Sequence, residues 1–490
     1  DFNVDLLKYD KNSLTNEFLD SLSSHFFLPN IILPTRISNN TKTIPIERLT
    51  KATGGYGQGW LKKGNDVFFA VGRSLYTVDA AKWFEGKADP TELVKLSASA
   101  KRKSGRGTLL LSRARVITMN GDEVLRRGDI LIEDSVIKAV GPSGSFEVPE
   151  DATVLHLRGK TIMPGIIDAH AHQGTPFLTA PPLGQYWENL NRLAYGVTTI
   201  VDPSHSVPQF AMADLAHAGG ILSPRMFGTG PIMDEREFAL SAEDSRLIAS
   251  RQSTYFEEPV LKSYNIGGRR DRQRLLHATK EEGLIAMLEN DGNHHHVVSG
   301  ILDGYFHFAH GFSFPLYKDM AQLLSQSGSG INYQFGALRG EGGPSSIFYY
   351  LDTMFEKEIE KGLKDTIPEQ YLLQRNHRRL RIDNSHQVFP YYSKQIDKLI
   401  DAGVLISLGD HSTFYGIGMI WEIMALASAM DDNLPALRAA THSAAVMTGL
   451  DASIGTIEVG KLADLIVING NPLTDIEDLS DLKYVIVNGV

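Results

Sequence analysis

Eight short apolar segments, each followed by helical text, fill the chain between Thr161 and Leu450, and this alternation restricts the fold more than any other feature. They are Ile166–His172, Val197–Asp202, Arg225–Gly230, Pro259–Tyr264, Leu284–Asn290, Tyr305–His310, Gly330–Phe335 and Val404–Asp410. Strands that alternate with helices build parallel sheets, because each helix carries the chain back to start the next strand. Eight such units over about 280 residues suit a (β/α)8 barrel, which usually takes about 250. Reactive groups in such a barrel collect at the C-terminal ends of the strands. The polar residues at those ends are therefore the candidates for chemistry.

The first end carries His170 and His172, after a Pro164-Gly165 turn. Residues i and i+2 of an extended strand face the same side, so two imidazoles stand together there, a usual first step towards a transition-metal site. A lone His-x-His is weak evidence; its partners decide. Lys262 ends the fourth segment, His310 the sixth and Asp410 the eighth.

Two longer motifs add a family. Pro164-Gly165-Ile166-Ile167-Asp168-Ala169-His170-Ala171-His172 resembles the strand-one motif of the amidohydrolase superfamily. Gly455-Thr456-Ile457-Glu458-Val459-Gly460-Lys461-Leu462-Ala463-Asp464-Leu465-Ile466-Val467 resembles the segment by which that family's chain returns from the barrel to a small β-domain. The resemblance covers residues 107 to 490. The expected fold is α/β, a distorted (β/α)8 TIM barrel of residues 161–450 inserted in a composite β-sandwich of residues 107–160 and 451–490.

For the site, the resemblance implies His170, His172, Lys262, His310 and Asp410 as ligands of divalent metal. Two zinc ions are expected, with manganese or iron as alternatives. A protonated lysine beside metal ions is strongly unfavourable, and the resemblance supplies the answer: a CO2-derived carbamate on Lys262 that bridges the metals. Asp410 then serves as ligand and general base for a metal-activated hydroxide that attacks a carbonyl. The implied activity is hydrolysis of the C–N bond of an amide, dipeptide or cyclic amide, outside ordinary protein peptide bonds.

Strand five departs from the family. The usual histidine is absent from Ala286-Met287-Leu288-Glu289-Asn290-Asp291, and Glu289, a hard oxygen donor able to bind zinc or manganese, takes the position by count. His294-His295-His296 follows, read either as a solvated loop or as a group in which His295 reaches back to substrate. His205 and His386 are further substrate-contact candidates. His411, next to Asp410, should face away by alternation, while His307 and His442 read as packing residues. Two other functions stay open. A mononuclear deaminase should carry a strand-five histidine followed by a catalytic glutamate and no strand-four lysine, so Lys262 counts against it. A metal-poor barrel acting as a scaffold or binding protein is kept open by the irregular fifth strand.

The formal charge of −10 and a pI near 5.9 argue against nucleic-acid binding, which favours a basic face. No apolar run approaches the roughly 18 residues of a membrane span. Zero cysteines exclude disulfides and thiolate ligands and leave the compartment open, cytoplasmic or exported. The chain begins at Asp1, as expected of a processed or truncated product, with a removed signal peptide as one route. The expected partner is a small-molecule or dipeptide substrate, and barrels of this family commonly form homo-oligomers.

Residues 1–100 read as a β-rich N-terminal segment, either part of a propeller or a β-hairpin appendage packed onto the barrel body. Gly54-Gly55-Tyr56-Gly57-Gln58-Gly59-Trp60, Val67–Gly72 and Ser74–Val78 resemble one blade of a TolB-type β-propeller, a domain sometimes fused ahead of amidohydrolases. A propeller needs about four to eight blades, more than this segment can supply. The stretch from Gly336 to Ser385 reads as a partly helical lid, with Arg378, Arg379 and Arg381 as a charged run.

Overall fold

The computed structural model describes residues 56–61, 65–71, 74–95, 103, 105–173, 184–204, 207–230, 241–264, 266, 268–290, 293–312, 316–337, 353–354, 357–358, 367–371, 385, 387–411 and 414–489. The chain divides into two units, the first comprising residues 1–99 with 236–239 and the second the remainder.

In the first unit, β1 (Tyr56–Trp60), β2 (Asp66–Val71), β3 (Ser74–Asp79) and β4 (Thr91–Lys95) form one antiparallel sheet in chain order. Strand alternation turns Val67, Phe69 and Val71 to the buried side. The described residues form this one four-stranded sheet and a short helix, Ala80–Phe84, between β3 and β4; they build no propeller.

The second unit begins with β5 (Thr108–Ile117), β6 (Val124–Glu133), β7 (Val136–Pro142), β8 (Thr153–His156) and β9 (Lys160–Pro164). Then come β10 (Ile166–Asp168), β11 (Val197–Asp202), β12 (Arg225–Gly228), β13 (Val260–Ser263), β14 (Ile285–Leu288), β15 (His307–Phe308), β16 (Gly330–Tyr333) and β17 (Leu405–Leu408). The chain closes with β18 (Leu465–Asn469) and β19 (Leu482–Ile486).

Where two stacked sheets are expected at the flanks, β19-β18-β9-β5-β6-β7 run as one mixed sheet with β8 beside β5. β5 serves two neighbours because it bulges. Arg113 adopts φ +64° and donates its N–H to Asp129 Oδ1 at 2.8 Å. The part of β5 before this kink pairs with β8, the part after it with β9. Leu111, Ala114, Val116, Ile130, Ile132, Ile162, Leu465 and Val467 pack into one core of this sheet. The alternate residues Ile117, Met163, Ile466 and Ile468 join the barrel's main cluster on the other face. Period-two alternation thus glues the sheet to the barrel.

All eight expected barrel strands are present, in order and parallel. Most read as near-continuous buried runs, as parallel strands covered on both faces should. The barrel is not a closed ladder: β10–β12 form one sheet and β13–β17 another. At the β17/β10 seam two main-chain bonds remain, from Ala169 N–H to Leu408 O at 3.1 Å and from His411 N–H to His170 O at 3.1 Å. At the β12/β13 seam side chains replace the ladder. The Gln252 amide donates to Gly228 O and to Val260 O at 2.7 Å, and Glu258 accepts the Gly228 N–H at 3.0 Å. Burial, with a small push from Asp214, raises the Glu258 carboxyl to about 8.

Two outcomes follow at these seams. A Cβ at Gly409 would collide with the Cβ of His170 and stand 2.7 Å from its backbone nitrogen. Gly409→Ala should therefore cost about 1–3 kcal/mol through overpacking, read as a lowered urea midpoint. Glu258 binds its proton more tightly folded than unfolded. The stability it contributes is complete below its ordinary value of 4.5 and drains away as pH rises towards 8. Glu258→Gln, which stays neutral, should flatten the fall of unfolding midpoint over that window; an unchanged slope would show that Glu258 ionises freely in the fold.

Candidate metal centre

The expected site residues lie at the C-terminal ends of their strands. Lys262 is inside β13, Glu289 directly follows β14, and His310 and Asp410 stand two residues beyond β15 and β17. His170 and His172 lie just past β10 in a turn rather than within the strand. Their rings still come together, with centroids 5.2 Å apart.

His170 is the centre of the group. It is buried, its ring centroid is 4.6 Å from that of His310, and its Nε2 has no hydrogen-bond partner among the described residues. Burial, then the neighbouring His310, Lys262, His411 and His172, push it well below its ordinary value, so it is a neutral imidazole with a lone pair to give. A buried nitrogen with no partner among the described residues, in such company, can donate its lone pair to a metal ion.

His411 corrects the sequence expectation. Alternation would turn it away, but β17 ends at Leu408 and His411 takes a left-handed φ of +51°, so the period-two rule has lapsed. Its ring stands 4.5 Å from that of His172 and 5.0 Å from that of His170. His170, His310 and His411 each offer an atom within 4.8 Å of the others, a spacing a metal ion can span.

Around the histidines sits a charged shell. Lys262 Nζ lies 2.6 Å from Glu289 Oε2, and Glu289 Oε1 lies 2.9 Å from His310 Nε2. Burial acts to raise Glu289, but Lys262 and His310 outweigh it and hold the carboxylate well below the usual range. His172 Nδ1 meets Ser204 Oγ at 2.9 Å, with Asp202 Oδ1 at 3.5 Å. Asp410 is buried beside Asp168, whose carboxyl is driven well upward by burial and by Asp410.

Other candidates fall elsewhere. His205 and His386 lie outside the described residues, as does most of the expected lid with its three arginines. His295 is exposed in the first turn of a helix, His294–Asp303, where a loop is one expectation; Asn293 caps that helix by accepting the His296 N–H. His307 is buried, with Nδ1 3.1 Å from Met447 O, and acts as packing. Residues not singled out in the sequence are Asp168, Ser204, Gln334 and Glu422. Gln334 carried a readable signal: it is a polar residue at the end of an apolar strand, the position its neighbouring strands use for ligands.

Residues 268–490 match the amidohydrolase family. The dihydropyrimidinase of Rattus norvegicus is 31% identical over 106 residues, 21% of this chain, and the match spans only 19% of that relative's length. The imidazolonepropionase of Symbiobacterium thermophilum is 22% identical over 386 residues, 72% of this chain and 86% of its own. A Xaa-Pro dipeptidase crystallised with methionine in its active site shares the fold, with a TM-score of 0.57 at 17% identity over 78% of this chain and 99% of that one. The C-terminal part of the chain, residues 268–490, thus matches the amidohydrolase family, and the fold as a whole is that of the dipeptidase.

Proposed function

We propose that this chain is a metal-dependent hydrolase of the C–N bond in an amide, dipeptide or cyclic amide. The observation that carries the reading is the buried, unpaired His170 Nε2 in a cluster with His310 and His411 at the barrel's C-terminal end. The relatives fit the same chemistry: a dihydropyrimidinase, an imidazolonepropionase and a dipeptidase. His170, His172, His310, His411, Asp410 and Glu289 would hold divalent metal, zinc first and manganese or iron as alternatives. Such a metal polarises a carbonyl and lowers the pKa of water towards neutrality. Asp410 takes the proton of the attacking water and delivers it to the leaving nitrogen. Asp168 holds Asp410 in place through its backbone N–H, at 3.2 Å.

Lys262 is proposed to carry a carbamate in the loaded centre. Carboxylation turns a cation into an anion beside Glu289, where an ion pair of 2.6 Å now stands. Two anions at that range repel unless cations lie between them. Carbamate and metal should therefore load together. A second reading, a mononuclear deaminase, draws on the same pair: if Lys262 and Glu289 stay bound to each other, both are lost to a second metal.

Elemental analysis of protein prepared with divalent metal, with and without bicarbonate, separates these. Near two metals per chain with bicarbonate, falling in its absence and in Lys262→Ala, is the expected result. One metal, indifferent to bicarbonate and to the mutation, moves the assignment to the mononuclear reading, and none would leave a scaffold. On an amide or dipeptide found by screening, Asp410→Asn should lower kcat by about 10²–10⁴ while metal content falls less; wild-type turnover in that variant would remove Asp410 from the chemistry.

A further inference from the structure

We propose that Gln334, at the end of β16, is a positioning residue that fixes which ring nitrogen His310 presents to the metal and locks His170 to the same frame. The inference rests on the metal-centre reading above. Gln334 is buried, and its carboxamide bonds the His310 ring directly and shares the acceptor Ala309 O with the His170 ring.

Its orientation is settled by its neighbours. One end of the carboxamide lies 2.8 Å from Ala309 O and 3.3 Å from Asn332 O, and it also meets Asn332 Oδ1. Main-chain carbonyls only accept, so that end is the NH2 group. The other end, Oε1, then faces His310 Nδ1 at 2.7 Å, and this nitrogen must carry a proton. His310 Nε2 faces Glu289 Oε1 at 2.9 Å, and a metal ion held by both residues would take the place of that hydrogen bond.

The same logic reaches His170. Its Nδ1 stands 2.8 Å from Ala309 O, an acceptor, so Nδ1 is protonated and the orphan Nε2 bears the lone pair. Ala309 O thus collects one N–H from His170 and one from Gln334, and Gln334 passes the constraint on to His310. The carboxamide cannot easily turn. Asn332, which it contacts, is tied to Ser407 on β17 at 2.8 Å, and the next two amide N–H groups, Phe335 and Gly336, both donate to the buried carboxylate of Glu422. Outer partners of metal-binding histidines choose the tautomer and aim the ring, and losing one typically weakens metal binding about 10- to 100-fold.

The test is zinc affinity by chelator competition on wild type, Gln334→Met and Gln334→Glu. Methionine keeps the volume but loses both polar contacts, and should bind zinc about 10- to 100-fold more weakly. Glutamate keeps an oxygen towards His310 but sets a second acceptor against Ala309 O and Asn332 O, and its affinity should fall between those of wild type and Gln334→Met. Equal affinity in wild type and Gln334→Met overturns the role. Ring-nitrogen NMR of cadmium-loaded wild type gives a readout free of any folding defect. Coupling of the metal to His310 Nε2 is expected, and coupling to Nδ1 overturns the proposal. Wild type that takes up no metal would sink the metal-centre reading and Gln334's role with it, whereas metal bound equally by all three proteins sinks the role alone.

Discussion

Asp168 Oδ1 accepts the amide N–H of His170 at 3.1 Å and that of Asp410 at 3.2 Å, and through those two bonds the first and last strands of the barrel hold their reactive ends together. The carboxyl is fully buried and shares its space with Asp410, so its ionisation is opposed from both sides. A polar group in such a position is costly unless its hydrogen bonds are made. The arrangement therefore specifies one register between β10 and β17. Slide either strand by one residue and the buried Asp168 carboxyl loses the Asp410 amide as a donor. The neighbouring Gly409 belongs to the same constraint, since the strands approach too closely there for any side chain.

Much of this was legible in the sequence because it follows from periodicity and from what a strand end must do. The eight barrel strands fall within the eight apolar segments, and His170, His172, Lys262, Glu289, His310 and Asp410 all converge on one end of the barrel. Strand lengths were less readable. The apolar runs continue for several residues past the last ladder bond, because burial on both faces favours apolar residues in the loop entrances as well as in the strands. The open seam at β12/β13 left no sequence trace, for the plug is made by Gln252 and Glu258, polar residues that would read as surface.

His411 shows why alternation misleads at a strand's end. The rule depends on extended backbone, and a single left-handed residue reverses the direction of the side chain. Glu289 shows the opposite case. Position alone identified it, but its dealings with Lys262 depend on two strands brought side by side, with Lys262 and Met287 in register. The contacts of Gln334, Ser204 and Ala309 with the histidine rings are of that same kind. They exist only once distant strand ends meet, and a backbone carbonyl has no sequence signature at all.

The continuous sheet at the flanks has a consequence for synthesis. β9 pairs along its length with β18, joining Lys160 to Asn469 across almost the entire barrel. A ribosome adding about 5–20 residues per second needs roughly 15–60 s to cover that interval. Throughout that time the β5–β9 half of the sheet has been made while the edge that β18 will occupy has no strand to receive. An unpaired, apolar edge recruits other strands. Filling this edge of the sheet is thus the capture of β18 from the same chain, in competition with strands of its neighbours.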